Sequence, residues 1–184
     1  MFLTTNASFR SREELLEKKL KQVHGYDKIP FNRIYTASYV TAENLKKVVA
    51  EANVENPAIY VVGMAGMRKE LTDAGLRIIN HDDADDTDTM TESELATYQC
   101  DPSVVAVAAG VDFKLTYRKI CIASLYLQVN DAKFVCTNPD RYSGKNNRFP
   151  AGAGTVIRAI ETASGRKAEV MGKPSQSMFN MIRE

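Results

Sequence analysis

Apolar and polar positions along this chain fall into blocks whose period switches between helix-like and strand-like. Phe2-Leu3-Thr4-Thr5-Asn6 reads as a strand end running into a polar loop. Ser11-Arg12-Glu13-Glu14 is a capping box: the Ser hydroxyl takes a free helix N–H, and Glu14 is placed to reach back. Leu15, Leu16, Leu20 and Val23 then share one face, and Gly25 stops the helix. A second helix is predicted from Thr41 to Ala50, with Leu45, Val48 and Val49 inward. The apolar run from Pro57 to Gly63 predicts a buried strand, and Met67 to Ala74 a short helix ended by Gly75. Leu76-Arg77-Ile78-Ile79 alternates like a strand. Val104 to Ala109 is apolar on both faces, Tyr117 to Leu127 is helical, and Lys133 to Asn138 is a strand opening into a loop rich in Pro, Gly and Asn. Gly152-Ala153-Gly154 leads a helix from Thr155 to Ala163, Glu169 to Pro174 is a short strand and turn, and Met178 to Ile182 begins a last helix.

Strands alternating with helices define an α/β class with mostly parallel strands. Parallel strands buried on both faces read as continuous apolar runs, as two of these do. In such folds ligands sit at the carboxyl ends of strands. Three strand ends share a theme: Thr4-Thr5-Asn6, Thr137-Asn138-Pro139-Asp140 and Gly172-Lys173-Pro174-Ser175. Each sets small hydroxyl, amide or charged groups just past a strand.

Composition narrows the classes. A chain of 184 residues with 44% hydrophobic and 26% charged residues is long enough for a real core and is not disordered. With 24 Lys+Arg against 23 Asp+Glu, it lacks the basic excess of a nucleic-acid binder. No apolar run reaches the roughly 20 residues of a membrane span. Cys100, Cys121 and Cys136 are odd in number and widely spaced, which argues for unlinked thiols in a reducing, cytoplasmic setting. With two histidines, no Cys/His zinc pattern can be written.

Four groups of residues carry candidate chemistry. Thr4, Thr5 and Asn6 with Lys173 combine hydroxyls, a turn of N–H groups and an ammonium, as a phosphate dianion requires; they are equally a polar strand cap and a surface lysine. Gly152 and Gly154 before a helix admit either an anion or, the better reading, a tight turn with close packing. The acidic run holding Asp83, Asp85, Asp86 and Asp88 has carboxylates for a hard cation, but neither the Gly nor the terminal Glu of a calcium loop, so a solvated loop fits better. Asn138, Asp140 and Arg148 lie in a loop of turn formers, which either carries specificity or is a turn held by Asx hydrogen bonds.

The strand-end motifs, in this order, resemble those of the haloacid dehalogenase (HAD) superfamily. The branch is that of p-nitrophenylphosphatase, phosphoglycolate phosphatase and chronophin. Matching stretches run through nearly the whole chain: Phe2 to Asn6 with Ser11-Arg12, Ile34 to Ser38, Val61-Val62-Gly63 with Gly66 and Arg68, Asp101 to Val104, Cys136 to Asp140, Asn147 to Gly154, Glu161 to Arg166, and Gly172 to Ser175. The resemblance implies a partial Rossmann-like HAD core with a large inserted α/β cap. Residues 1–48 would be core, 49–167 cap and 168–184 core again.

By that resemblance, the Thr4 hydroxyl and the backbone N–H groups of Thr5 and Asn6 bind the transferring phosphoryl group. Lys173 offsets charge on nucleophile and phosphate. The loop from Thr137 to Arg148 is the substrate-specificity loop, with Asn138 and Asp140 nearest the leaving group. Thr5 departs from the pattern, where Asn is usual. The implied reaction is hydrolysis of a small phosphorylated metabolite through an aspartyl-phosphate, with Mg²⁺ as cofactor. Phosphoglycolate-like substrates are the first expectation. No Asp-x-Asp-Gly stands in the sequence, and no Gly-Asp follows Lys173. The expectation is therefore a piece of a longer phosphatase, inactive alone, with no metal ligands of its own. A non-catalytic cap module that forms a homodimer is the alternative.

Overall fold

The computed structural model describes residues 2–25, 29–80, 89–143 and 147–183. The acidic run with Asp83, Asp85, Asp86 and Asp88 lies outside the described residues.

Strand β1 (Leu3–Thr5) pairs in parallel with β2 (Ile34–Thr36), Leu3 opposite Ile34 and Thr5 opposite Thr36. The chain between them is helical: α1 (Arg12–Glu14), a π-helical stretch (Leu15–Lys21), α2 (Gln22–His24), then a 3₁₀ turn (Phe31–Arg33). The Ser11 hydroxyl accepts the Glu14 N–H, while the Glu14 carboxylate accepts from Lys18. Gly25 ends the run in the left-handed region, at φ 63°. Leu15, Leu20, Ile29 and Ile34 form a small core of their own.

Helix α3 (Ala37–Glu51) follows β2 directly, with the Thr36 hydroxyl accepting the Tyr39 N–H. It starts ahead of the predicted Thr41. Ala37, Ser38, Val40 and Thr41 are all buried, so the first turn shows no polar face to mark it.

The main sheet is β3 (Ala58–Val62), β4 (Val104–Ala109), β5 (Lys133–Cys136) and β6 (Glu169–Val170), in that spatial order and parallel throughout. On one face lie α3, α4 (Ala65–Asp73) and α8 (Gln176–Arg183), around Leu45, Val61, Met67, Leu71, Ala106 and Met178. On the other lie α6 (Tyr117–Val129) and α7 (Ala153–Ser164), around Tyr60, Val107, Ile122, Tyr126, Phe134 and Ile160. This is the α/β layering that the alternation predicts, with both sheet faces covered.

Two local expectations are corrected. Leu76–Ile79 is not a strand; a single bridge joins Ile78 to Ile59. The Ile59 N–H donates to Arg77 and its carbonyl accepts from Ile79, after which Asn80 intervenes. The Asn80 carboxamide accepts the Val61 N–H and donates to the Val61 carbonyl, so a side chain takes the place of the next strand residue. The second is an omission, α5 (Glu92–Thr97), which opens on a full Thr91/Glu94 capping box.

Candidate functional site

Parallel pairing brings the carboxyl ends of the strands to one side, and the candidate residues gather there. Past β1, the Thr5 hydroxyl accepts the Ala7 N–H at 3.2 Å and shapes a tight turn. The next segment is tied down when the Ser38 hydroxyl donates to the Ser8 carbonyl. Past β6, the chain reaches Gly172 and Lys173. A Cβ on Gly172 would stand 2.5 Å from the Thr137 carbonyl oxygen and 2.9 Å from Asn6 Oδ1. Only glycine lets these three segments meet.

Asn6 is the hub. Its Oδ1 accepts the Lys173 N–H at 2.8 Å, and its Nδ2 donates to the Lys173 carbonyl at 3.0 Å. The same Nδ2 donates to Asp140 Oδ2 at 3.2 Å. Lys173 Nζ reaches back and donates to the Thr4 carbonyl at 3.2 Å. Asn138 Nδ2 donates to Asp140 Oδ2 at 2.9 Å. The Thr137 hydroxyl and Asn138 Oδ1 are buried and have no hydrogen-bond partner among the described residues. Buried polar atoms left unpaired cost free energy.

A cleft of about 240 Å³ opens beside this network. Thr5, Asn6, Asn138 and Asp140 are among its polar lining, and Phe9, Phe113 and Tyr142 among its aromatic lining. The Phe9 and Phe113 rings lie 6.2 Å apart. Phe113 sits on a turn held by a buried ion pair: Lys119 Nζ donates to Asp112 Oδ2 at 2.9 Å and to the Lys114 carbonyl. A larger groove, about 390 Å³, runs between α3 and α8 but touches no strand end, so size does not select the site.

Most of the sequence-derived residues therefore converge. Thr4, Asn6, Lys173, Asn138 and Asp140 form one connected set, and Thr5 shapes its edge. Arg148 stands exposed and does not line the cleft. Gly152 and Gly154 serve packing: a Cβ on Gly154 would meet the Pro139 carbonyl oxygen at 2.4 Å, and the Gly154 N–H already donates to Asp140. Phe9 and Phe113 were not singled out by the sequence, since an isolated aromatic carries no spacing signal. The described residues do not fit a magnesium site: no group of three or more His, Cys, Asp or Glu gathers among them, and Asp140, the one carboxylate lining the cleft, has an oxygen taken by two amides. Among the described residues, no helix is long and apolar enough to cross a membrane.

Known proteins bear on this geometry. No family model matches the chain. A 4-nitrophenylphosphatase from Schizosaccharomyces pombe is 30% identical over 182 residues, covering 99% of this chain and 59% of the relative. A glycerol-3-phosphate phosphatase from Rattus norvegicus is 31% identical over 192 residues, covering 100% and 57%. Chronophin from Mus musculus is 30% identical over 182 residues, covering 98% and 56%. Among solved structures, a hypothetical protein from Pyrococcus horikoshii OT3 superposes with a TM-score of 0.76 at 27% identity, covering 99% of this chain and 62% of the other. A glycerol phosphate phosphatase from Mycobacterium tuberculosis, solved in complex with magnesium, shares the fold with a TM-score of 0.73 at 19% identity, covering 98% and 47%. The chain thus spans less than two thirds of the length of these relatives. Over nearly its whole length the chain is similar to HAD-type phosphatases, in the branch of p-nitrophenylphosphatase and chronophin.

Proposed function

We propose that this chain carries the phosphate-positioning end and the leaving-group cleft of a Mg²⁺-dependent phosphatase that hydrolyses small phosphomonoesters in the cytoplasm. One observation carries the reading: the Asn6 carboxamide joins the β1 end and Lys173 to the Asn138–Asp140 loop in one network. The Lys173 ammonium and the Thr4 hydroxyl supply charge and a donor at the β1 end, which is what a phosphoryl group needs. The cleft lined by Phe9, Phe113, Asn138 and Asp140 receives the rest of the substrate. We assign residues 1–48 and 168–184 to the core and 49–167 to the cap. Arg148, exposed at the loop's far end, contacts substrate only from the rim.

The aspartyl nucleophile and the magnesium ligands are assigned to segments outside these 184 residues, because the sequence holds no Asp-x-Asp-Gly. The 184-residue chain should then release no p-nitrophenol from p-nitrophenyl phosphate. The protein with its flanking segments should do so, and chelator should abolish the release. Lys173→Ala should lower that rate by about 10²-fold, the scale for removing one charge-stabilising group. Hydrolysis of no phosphomonoester by the longer protein would overturn the reading.

A second reading, a non-catalytic module that pairs with its own copy, is favoured by the exposure of Phe113, Tyr142 and Phe149 at 65%, 56% and 65%. A monomeric mass in sedimentation at micromolar concentration would exclude it.

A further inference from the structure

We infer that the Asn6 side chain is a positioning residue, which fixes where the Lys173 ammonium stands relative to the phosphoryl group. The inference rests on the phosphatase reading above and assigns the carboxamide a task separate from any backbone contact.

The geometry is specific. A single carboxamide takes both the N–H and the C=O of Lys173, at 2.8 and 3.0 Å. That pairing sets the Lys173 main chain as firmly as a strand partner would, in a turn that no strand pairs. With the main chain fixed, the side chain leaves in one direction, and its ammonium lands on the Thr4 carbonyl. Thr4 and Asn6 are close in sequence, whereas Lys173 lies 167 residues further on than Asn6. The β1 end and the Lys173 turn are therefore one unit closed by three hydrogen bonds. Gly172 leaves the space that the amide needs. No other residue type at position 6 offers an acceptor and a donor at that reach; Asp lacks the donor, and Ser and Ala lack the reach. With its main chain held by Asn6 and its ammonium by the Thr4 carbonyl, the lysine has part of its backbone and rotamer freedom removed before phosphate binds, which reduces the entropy cost of binding.

A thermodynamic cycle tests this on the 184-residue chain, with inorganic phosphate as the probe and titration calorimetry as the readout. Lys173→Ala should weaken phosphate binding. Asn6→Ala should weaken it about tenfold when Lys173 is present, the scale of one or two lost hydrogen bonds, and not at all in the Lys173→Ala background. An equal loss in both backgrounds, or no loss in either, overturns the inference and leaves the phosphatase reading intact. If Lys173→Ala leaves phosphate binding unchanged, or the unsubstituted chain binds no phosphate, the phosphate-end reading itself fails and the inference with it. Should Asn6→Ala not fold, as judged by circular dichroism, Asn6→Ser carries the same cycle.

Discussion

Glu161 shows how a residue on α7 couples stability to pH. Its carboxylate is buried, which on its own would raise its pKa. The Ala168 N–H, the Arg158 guanidinium and the Lys167 ammonium outweigh that and hold it below the ordinary 4.5. A depressed carboxyl means that the unfolded chain binds more protons, so its stabilisation is present above the ordinary value and is lost as pH falls through the lower folded one. The melting temperature should fall more steeply below pH 4.5 in the native chain than in Glu161→Gln; parallel acid limbs would sink this account. Cys136 is the opposite case. Burial between the sheet and α7 pushes its thiol up to about 12, so at pH 8 iodoacetamide should leave it unmodified until the chain unfolds. Rapid loss of that thiol in the native state would contradict the burial. At this scale the candidate site was partly legible. Thr4, Asn6, Asn138, Asp140 and Lys173 declared themselves by residue type at strand ends. That Asn6 grips the Lys173 main chain did not, because a contact across 167 residues has no local signature.

Among elements, the start of α4 meets the segment after β1 backbone to backbone. A Cβ on Gly66 would stand 2.4 Å from Arg10 Cα and 2.6 Å from the Phe9 carbonyl oxygen. Gly→Ala inside a helix ordinarily gains about 1 kcal/mol. Here the atoms met are backbone and cannot rotate away, and overpacking costs about 1–3 kcal/mol. The net loss of stability for Gly66→Ala should then reach up to about 2 kcal/mol, or up to about 8 °C in melting temperature. A rise would mean that the two segments part easily. The same contrast between local and distant causes decides which elements the sequence revealed. Strand β4 was legible to the residue because both its faces are buried. Helix α5 carries an equally local mark in Thr91 and Glu94, but it is too short for its apolar period to show. The absence of a strand at Leu76–Ile79 was not readable. It depends on Asn80 capping Val61, and on Arg68 donating to the carbonyls of Gly63, Val61 and Asn80.

At the scale of the molecule, the layers around the main sheet and the β1–β2 unit are unequal partners. The main sheet has an extensive core on each face, while among the described residues the β1–β2 unit gathers Leu15, Leu20, Ile29 and Ile34, with Leu3 and Leu16 packed against them. Polar ties hold the unit in place. Arg12 pairs with Glu70 at 3.0 Å, its N–H donates to the same carboxylate, and its guanidinium lies 3.4 Å from the Tyr39 ring centroid. Asn6 supplies the tie to Lys173. A unit with few buried apolar contacts opens at a lower free energy than the core it leans on. Amide exchange should therefore be faster across residues 3–24 than across β3, β4 and β5. Glu70 is 3% exposed, so Glu70→Gln loses a charged pair without opening a cavity. It should speed exchange across 3–24 and leave β4 at its native rate, as followed by mass spectrometry. Acceleration of both regions by the same factor would show one cooperative unit and remove the distinction. If instead only 3–24 responds, the arm that carries Thr4 and Asn6 can move while the cleft wall of Val111 and Phe113 stays in place. The hydrogen bonds of Asn6 to Lys173 and Asp140, and of Lys173 to Thr4, would then be the ties on which that arm turns.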